Sequence, residues 1–339
     1  MSDFVKIPYA GLVRILGTRP FLTLGEKMIG FNVPIFVLHR FACTSLGING
    51  HDPIFVRWAL EYLRRKKFNF VSVEDVVKCL RGECTLPSRP VAVSVDDGFW
   101  DQAAVGARLF AEFDCPATYF VTTGFINKEN WFWGSKVEFL LDQCDYRNTS
   151  RLHLDLDNSK EWPLRREVLE DEMIRALKLK SLDCINSTLN DWARELDVEL
   201  PEEAPDKFAP ASWASLRDLQ KRGMKIGPHT YSHPILSRQN SNESRDEIAR
   251  SASDLSNRLG QYSNVFCYPV GRAEDFGLRE QRFAEDHGFL GAVSAIPGSV
   301  DWSCRRQLFS IPRFGFPNTK KDLIQYASWI EAVKSRFRS

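Results

Sequence analysis

The sequence has no stretch of apolar residues close to the roughly 20 that a bilayer-spanning helix requires, so nothing in it reads as a membrane span. It also lacks charge of a dominant sign: 45 basic against 44 acidic residues leave +1, too little to draw in nucleic acid or hold an anionic membrane unaided. No cleavable apolar segment marks its start. The eight cysteines, at 43, 79, 84, 115, 144, 184, 267 and 304, show neither a CxxC pair nor zinc-ribbon spacing, so neither a thiolate metal cage nor a redox pair is signalled. Several sit in apolar strand or helix patterns, as buried free thiols do, and a reducing compartment, the cytoplasm, is expected. Histidine is scarce, with six in 339 residues. Internal repeats and low-complexity tracts are missing. What is present is 43% hydrophobic and 26% charged residues, enough core for one large domain or two ordinary ones.

The chain alternates short apolar runs with amphipathic segments. VPIFVL (33–38) precedes a helix with Phe55, Ala59, Leu60 and Leu63 on one face. FNFVS leads into VEDVVKCL, and VAVSV (91–95) into a helix marked by Val105, Leu109 and Phe113. The rhythm breaks after ATYFVTT. Residues 127–211 are charged and helical and read as an insertion. Strand and helix patterns then resume with WASLRDLQKRG, closed by Gly223, and the strand MKIG. Short βα units with right-handed crossovers predict an α/β fold, a closed or nearly closed barrel of parallel strands. Residues 1–30, basic and apolar, form an N-terminal extension expected to pack on the domain, with peripheral membrane contact as the alternative.

Two stretches carry chemistry. Asp96, Asp97 and Gly98 follow the strand 91–95 at once, where barrel strands end and catalytic loops begin. Two adjacent carboxylates repel, so a cation or donor should face them. His229 and His233 lie four apart in GPHTYSH after the strand 224–227, and two imidazoles with one carboxylate make a metal set that leaves positions open for water and substrate. Alone, Asp-Asp-Gly is most often a turn or helix cap, and an HxxxH pair most often two surface histidines. Both fall just after predicted strands in a chain with six histidines, and together they favour a metal site.

VSVDDGFWD resembles the first motif, TFDDG, of the polysaccharide deacetylase (NodB-homology, carbohydrate esterase 4) family, and HTYSH matches its second, H-[ST]-x-x-H. VPIFVLHRF, LEYLRRKKFNFVSVEDVV and PATYFVTTGFI are similar to its opening strand, first helix with second strand, and the strand after the first motif. FCYPVG is similar to a third motif of the FAYPYG form, and FSIPRFG to a segment near the end. The resemblance covers most of residues 31–316 apart from the insertion. It implies an irregular (β/α)7-type barrel as the catalytic domain, 31–339, and a metal-dependent hydrolase releasing acetate from an N-acetylhexosamine in a polysaccharide or glycan precursor. It further implies that Asp97, His229 and His233 hold a divalent ion, zinc by preference, that Asp96 is the general base, and that the Val270 N–H supplies an oxyanion donor.

The departures are specific. Members with FRPPYG as the third motif carry an arginine there, beside the catalytic aspartate; this chain has Cys267 at that place, and Arg313 in IPRFG is the candidate for that supporting charge. The L-x-H segment that supplies a general-acid histidine is missing. Of the remaining histidines His153 falls in the insertion, His51 in a loop and His287 on a predicted helix, which leaves His39, ending the first strand, as the candidate acid. Trp100, Trp131, Trp133 and Tyr268 are the candidate aromatic faces for a sugar, against the alternative that they pack the interior. Two other readings stay open: hydrolysis of a different amide on the same fold, and a glycan-binding module that keeps the metal without catalysis. A non-ligating Asp96 beside the ion speaks against the second of these.

Overall fold

The structure is a computed structural model and describes residues 11, 13, 16–154 and 164–336. In chain order the elements are α1 (Arg19–Ile29), β1 (Ile35–Leu38), α2 (Pro53–Arg65), β2 (Asn69–Val71), α3 (Val73–Arg81), β3 (Pro90–Asp97), α4 (Ala107–Glu112), β4 (Thr118–Val121), α5 (Thr123–Ile126), α6 (Trp133–Gln143), α7 (Arg166–Leu177), α8 (Leu182–Leu196), α9 (Trp213–Lys221), β5 (Lys225–Pro228), α10 (Ser241–Leu259), β6 (Val265–Cys267), α11 (Leu278–Asp286), β7 (Gly291–Val293), β8 (Phe314–Gly315), α12 (Lys320–Ala327) and α13 (Trp329–Arg336). The helices begin where local chemistry favours it. Asp52 caps α2 with Pro53 behind it, Ser72 and Asp75 form a capping box on α3, and Asn240 and Glu243 form another on α10.

Every pairing between these strands is parallel. One sheet runs β5-β4-β3-β1-β8, with β2 on the first residues of β3, and a second sheet pairs β6 with β7. Two links draw the arcs into a barrel. Val293 of β7 bridges Ile311, which feeds β8, and the Ser263 N–H ahead of β6 donates to the Ile226 carbonyl of β5 at 2.6 Å. The α/β barrel expected from the sequence is therefore present, in irregular form.

Alternation along β3 explains the layering. Val91, Val93 and Val95 pack outward under the helices, while Ala92 joins Ile35, Phe120, Val265 and Val293 in the interior. Ser94 and Asp96 share that inward parity, so the barrel becomes polar toward the ends of its strands.

Among the described residues of 127–211, α6, α7 and α8 form a helical block with a core of its own, built on Val137, Leu140, Leu169, Met173, Leu189 and Trp192. Trp133 belongs to that core, and Ile235 and Val270 from the barrel loops join it. The block is thus packed directly over the barrel mouth. Among the described residues no helix is long and apolar enough to cross a membrane.

Candidate active site

The end of β3 is bent by two consecutive residues at positive φ, Asp97 at 91° and Gly98 at 99°. At this positive φ glycine is favoured, and a Cβ there would crowd Val121 Cβ at 3.2 Å. The bend has a consequence for direction. By strand parity Asp97 should follow Val95 outward, yet its carboxylate lies over the mouth, facing the histidines. The next residues hold this shape. The Gln102 side chain donates to the carbonyls of Asp96 and His39 and accepts the Gly98 N–H at 3.1 Å. Buried Asp101 accepts the Phe41 N–H at 2.6 Å and Arg40 Nε at 2.8 Å, and the Arg40 guanidinium lies 4.0 Å over the Phe99 ring.

The histidine loop is fixed from three sides. After β5, His229 N–H donates to Val121 O at 3.1 Å, and Gly124 N–H donates to Tyr231 O at 2.8 Å. Glu247 of α10 accepts the N–H groups of Tyr231 and Ser232 at 2.9 and 2.8 Å. The Trp133 indole N–H reaches His233 O at 3.3 Å. Nine described non-glycine residues have positive φ, and four of them, Asp97, Thr230, His233 and Val270, sit around this mouth. Each costs about 1–2 kcal/mol, and strain gathered in one place marks a site whose geometry is held by its surroundings.

Asp97 Oδ1 lies 3.6 Å from His229 Nε2 and 3.6 Å from His233 Nε2. Donor atoms of the three residues fall within 4.8 Å of one another. Tetrahedral arms of about 2.0–2.1 Å put ligands roughly 3.3–3.4 Å apart, so the set fits a zinc-sized ion. His229 Nδ1 is turned to Cys267 O at 2.9 Å, which fixes the ring and leaves Nε2 toward Asp97. His233 Nδ1 is buried with no hydrogen-bond partner among the described residues. Burial pushes the Asp97 carboxyl up, but the imidazoles of His229, His39 and His233 outweigh it and hold it well below the usual carboxylate range. Burial and the neighbouring His229 push His233 down to about 3, so its ring is a neutral donor.

Asp96 sits beside this set and apart from it. Arg313 grips it with both arms, Nη1 to Oδ1 at 2.8 Å and Nη2 to Oδ2 at 2.7 Å, and both side chains are buried. Burial raises the Asp96 carboxyl, and the Arg313 charge and hydrogen bonds more than reverse that, leaving it below its ordinary value. Cys267 Sγ donates to Asp96 Oδ2 at 3.4 Å. Asp96, His229 and Cys267 also lie close enough to suggest a second ion site. The residues fit it poorly: the guanidinium already supplies the positive charge, and burial raises the thiol pKa, which favours the protonated form.

The other candidates are divided. His39 lies immediately after β1 and is exposed, and it is close enough to contribute to the lowering of both the Asp96 and Asp97 carboxyls. Val270 lines a cavity of about 370 Å³ that opens on Asp97 and His233, and its N–H donates to no protein group among the described residues. The aromatic candidates need correction. Tyr268 is 1% exposed, stacked on Phe276 at 4.0 Å, with its hydroxyl given to Phe309 O. Trp131 is buried against Phe208, its indole N–H on Pro201 O. Neither offers a face to a sugar. Trp133 borders the cavity but is almost wholly buried, and Trp100 is exposed away from the cavity lining. Asp101, Gln102 and Glu247, which shape the two loops, were not among the candidates. Asp101 and Gln102 adjoin the Asp-Asp-Gly stretch and could have been read from it, whereas Glu247 arrives from a helix that no local pattern ties to the site.

The family model for polysaccharide deacetylases matches residues 84–284, more than half of the chain. No curated protein matches it by sequence. Among solved structures it is similar to the Streptococcus pyogenes deacetylase PplD in complex with acetate, at 16% identity over 88% of this chain and 98% of that one, TM-score 0.58. It is also similar to IcaB from Ammonifex degensii, at 16% identity over 89% and 98%, TM-score 0.56. A de-N-acetylase from Aggregatibacter actinomycetemcomitans aligns at 12% identity over 88% and 100%, TM-score 0.56. At these identities the likeness speaks to the fold.

Proposed function

The chain belongs to the polysaccharide deacetylase family, and from that premise we propose that it is a metal-dependent hydrolase that releases acetate from an N-acetylhexosamine of a polysaccharide or glycan precursor. The observation that carries this reading is the division of two adjacent carboxylates: Asp97 faces His229 and His233 at 3.6 Å, while Asp96 is held ionised by Arg313 and kept out of the set. Asp97, His229 and His233 would hold the ion. A divalent metal bound there, zinc by preference, would polarise an acyl oxygen and acidify a water.

The chain's own groups account for the rest. Asp96, ionised and oriented by two hydrogen bonds, accepts the proton of the attacking water. As that water's oxygen bonds to the acetyl carbon, negative charge grows on the carbonyl oxygen, and the Val270 N–H is the donor at the cavity wall to receive it. The C–N bond then breaks, and the amine leaves only if protonated, because an amide anion is too basic to depart. His39 is the proton donor in this reading. The reaction belongs to a reducing compartment, the cytoplasm, in keeping with eight unpaired thiols.

Acetate release from N-acetylhexosamine oligosaccharides tests the proposal. The expected outcome is turnover that a chelator abolishes and zinc restores. Turnover indifferent to chelation, or none with any such glycan, would refute it.

A further inference from the structure

The cavity at Asp97 and His233 has a second wall that no motif announces. Glu170 and Ile174 of α7 and Lys178 at its C-cap are spaced by four residues, so one face of this helix lines the cavity. Glu170 is half-buried and has no hydrogen bond or ion pair among the described residues. Its acidic neighbours are in the opposite condition. Lys207 Nζ lies 2.6 Å from both Glu138 and Asp142, and Arg166 reaches Asp142 at 2.7 Å. Lys178 cannot serve Glu170, because eight residues along a helix is about 12 Å. Burial, then the charge of Glu138, pushes the Glu170 carboxyl up, against the opposing charge of Arg166. Half-exposed on the cavity wall, its carboxylate keeps open acceptor capacity toward whatever occupies the cavity.

We propose that Glu170 is a specificity-determining residue: it accepts hydrogen bonds from ring hydroxyls of the sugar whose acetamido group lies at Asp97, His229 and His233. A sugar ring presents hydroxyl donors around its edge, and a carboxylate is acceptor-only with two oxygens to offer them. The inference rests on the proposed function, since it takes the cavity as the sugar site. It assigns the chemistry to the barrel and the choice of sugar to the helical block.

The test is affinity and KM of the full-length protein for the N-acetylglucosamine tetramer, in wild type, Glu170→Ala, Glu170→Gln and, as a control on the exposed side of the same helix, Asp171→Ala. Loss of a hydrogen bond to a charged group predicts roughly ten- to hundredfold weaker binding and a matching rise in KM for Glu170→Ala, with kcat little changed. Glu170→Gln, which keeps one acceptor oxygen, should lose less, and Asp171→Ala nothing. Unchanged Kd and KM in a Glu170→Ala protein that still turns over the tetramer would overturn the inference alone. Wild-type protein that neither binds nor deacetylates the tetramer or any other N-acetylhexosamine oligosaccharide would overturn it together with the proposed function.

Discussion

The barrel mouth and the helical block of α6–α8 border the same cavity, and they are built on different principles. At the mouth each important side chain is fixed within a few residues of a strand end, by positive φ at Asp97, Thr230, His233 and Val270 and by ladder-like backbone hydrogen bonds involving Val121, Thr122 and Gly124. Most of its polar groups are buried and paired, as Asp96 is with Arg313, with His233 Nδ1 an exception among the described residues. The block has an ordinary apolar core and turns one helix face to the cavity, where Glu170 stays unpaired among the described residues. Rigid, internally satisfied geometry suits bond making and breaking. A wall with open hydrogen-bonding capacity suits recognition.

Breaking the paired half should cost most. Arg313→Met would leave Asp96 as an uncompensated buried charge, worth about 3–5 kcal/mol of stability, and the purified variant should show both a lowered melting temperature and lost turnover. The pH dependence has a definite sign. The Asp96 carboxyl is held below its unfolded value, so its contribution to stability is fully present above that value, about 3.9, and is lost as the pH falls through the lower folded one. Acid unfolding of Arg313→Met should therefore lack that portion of the wild-type slope. An unchanged melting point would show that the pair carries no weight.

The next effect is smaller and kinetic. His39→Ala should keep its metal and lower kcat by about 10²-fold or more, with a flattened high-pH limb in the rate profile. Wild-type turnover at every pH would assign the proton to another donor.

The smallest effect on chemistry should come from the block. Leu169→Ala removes a fully buried side chain from the core of α6–α8 and should cost about 2–5 kcal/mol. If the two regions divide the work as argued, metal content and kcat stay near wild type in the folded variant while KM rises. Loss of metal would show that the block also holds the histidine loop, through Trp133 and His233.

The same contrast explains what could be read from the sequence. Asp96, Asp97, His229 and His233 were legible because the spacing that matters is local: a strand, two carboxylates and a glycine, then a strand and two histidines four apart. Arg313 came from a subgroup pattern, since nothing local ties residue 313 to residue 96. The parallel α/β order was legible from alternating apolar runs, although β6 and β7 pair apart from the main sheet. Tyr268 and Trp131 were misassigned because aromatic residues suit a sugar face and a core equally well, and their burial depends on Phe276, Phe309 and Phe208, distant partners. Glu170, the proposed recognition residue, carries no local signal for the converse reason. It stands in a charged helical stretch whose inward face becomes visible only when α7 is docked on the barrel.

The central claim is that Asp97, His229 and His233 hold an ion while Asp96 does not. Metal content measured on purified Asp97→Ala, His229→Ala, His233→Ala and Asp96→Asn proteins tests it most directly. The account predicts that the first three lose the metal and all turnover, and that Asp96→Asn keeps the metal and loses only turnover. A His229→Ala protein with a full complement of metal, or an Asp96→Asn protein without it, would contradict the account.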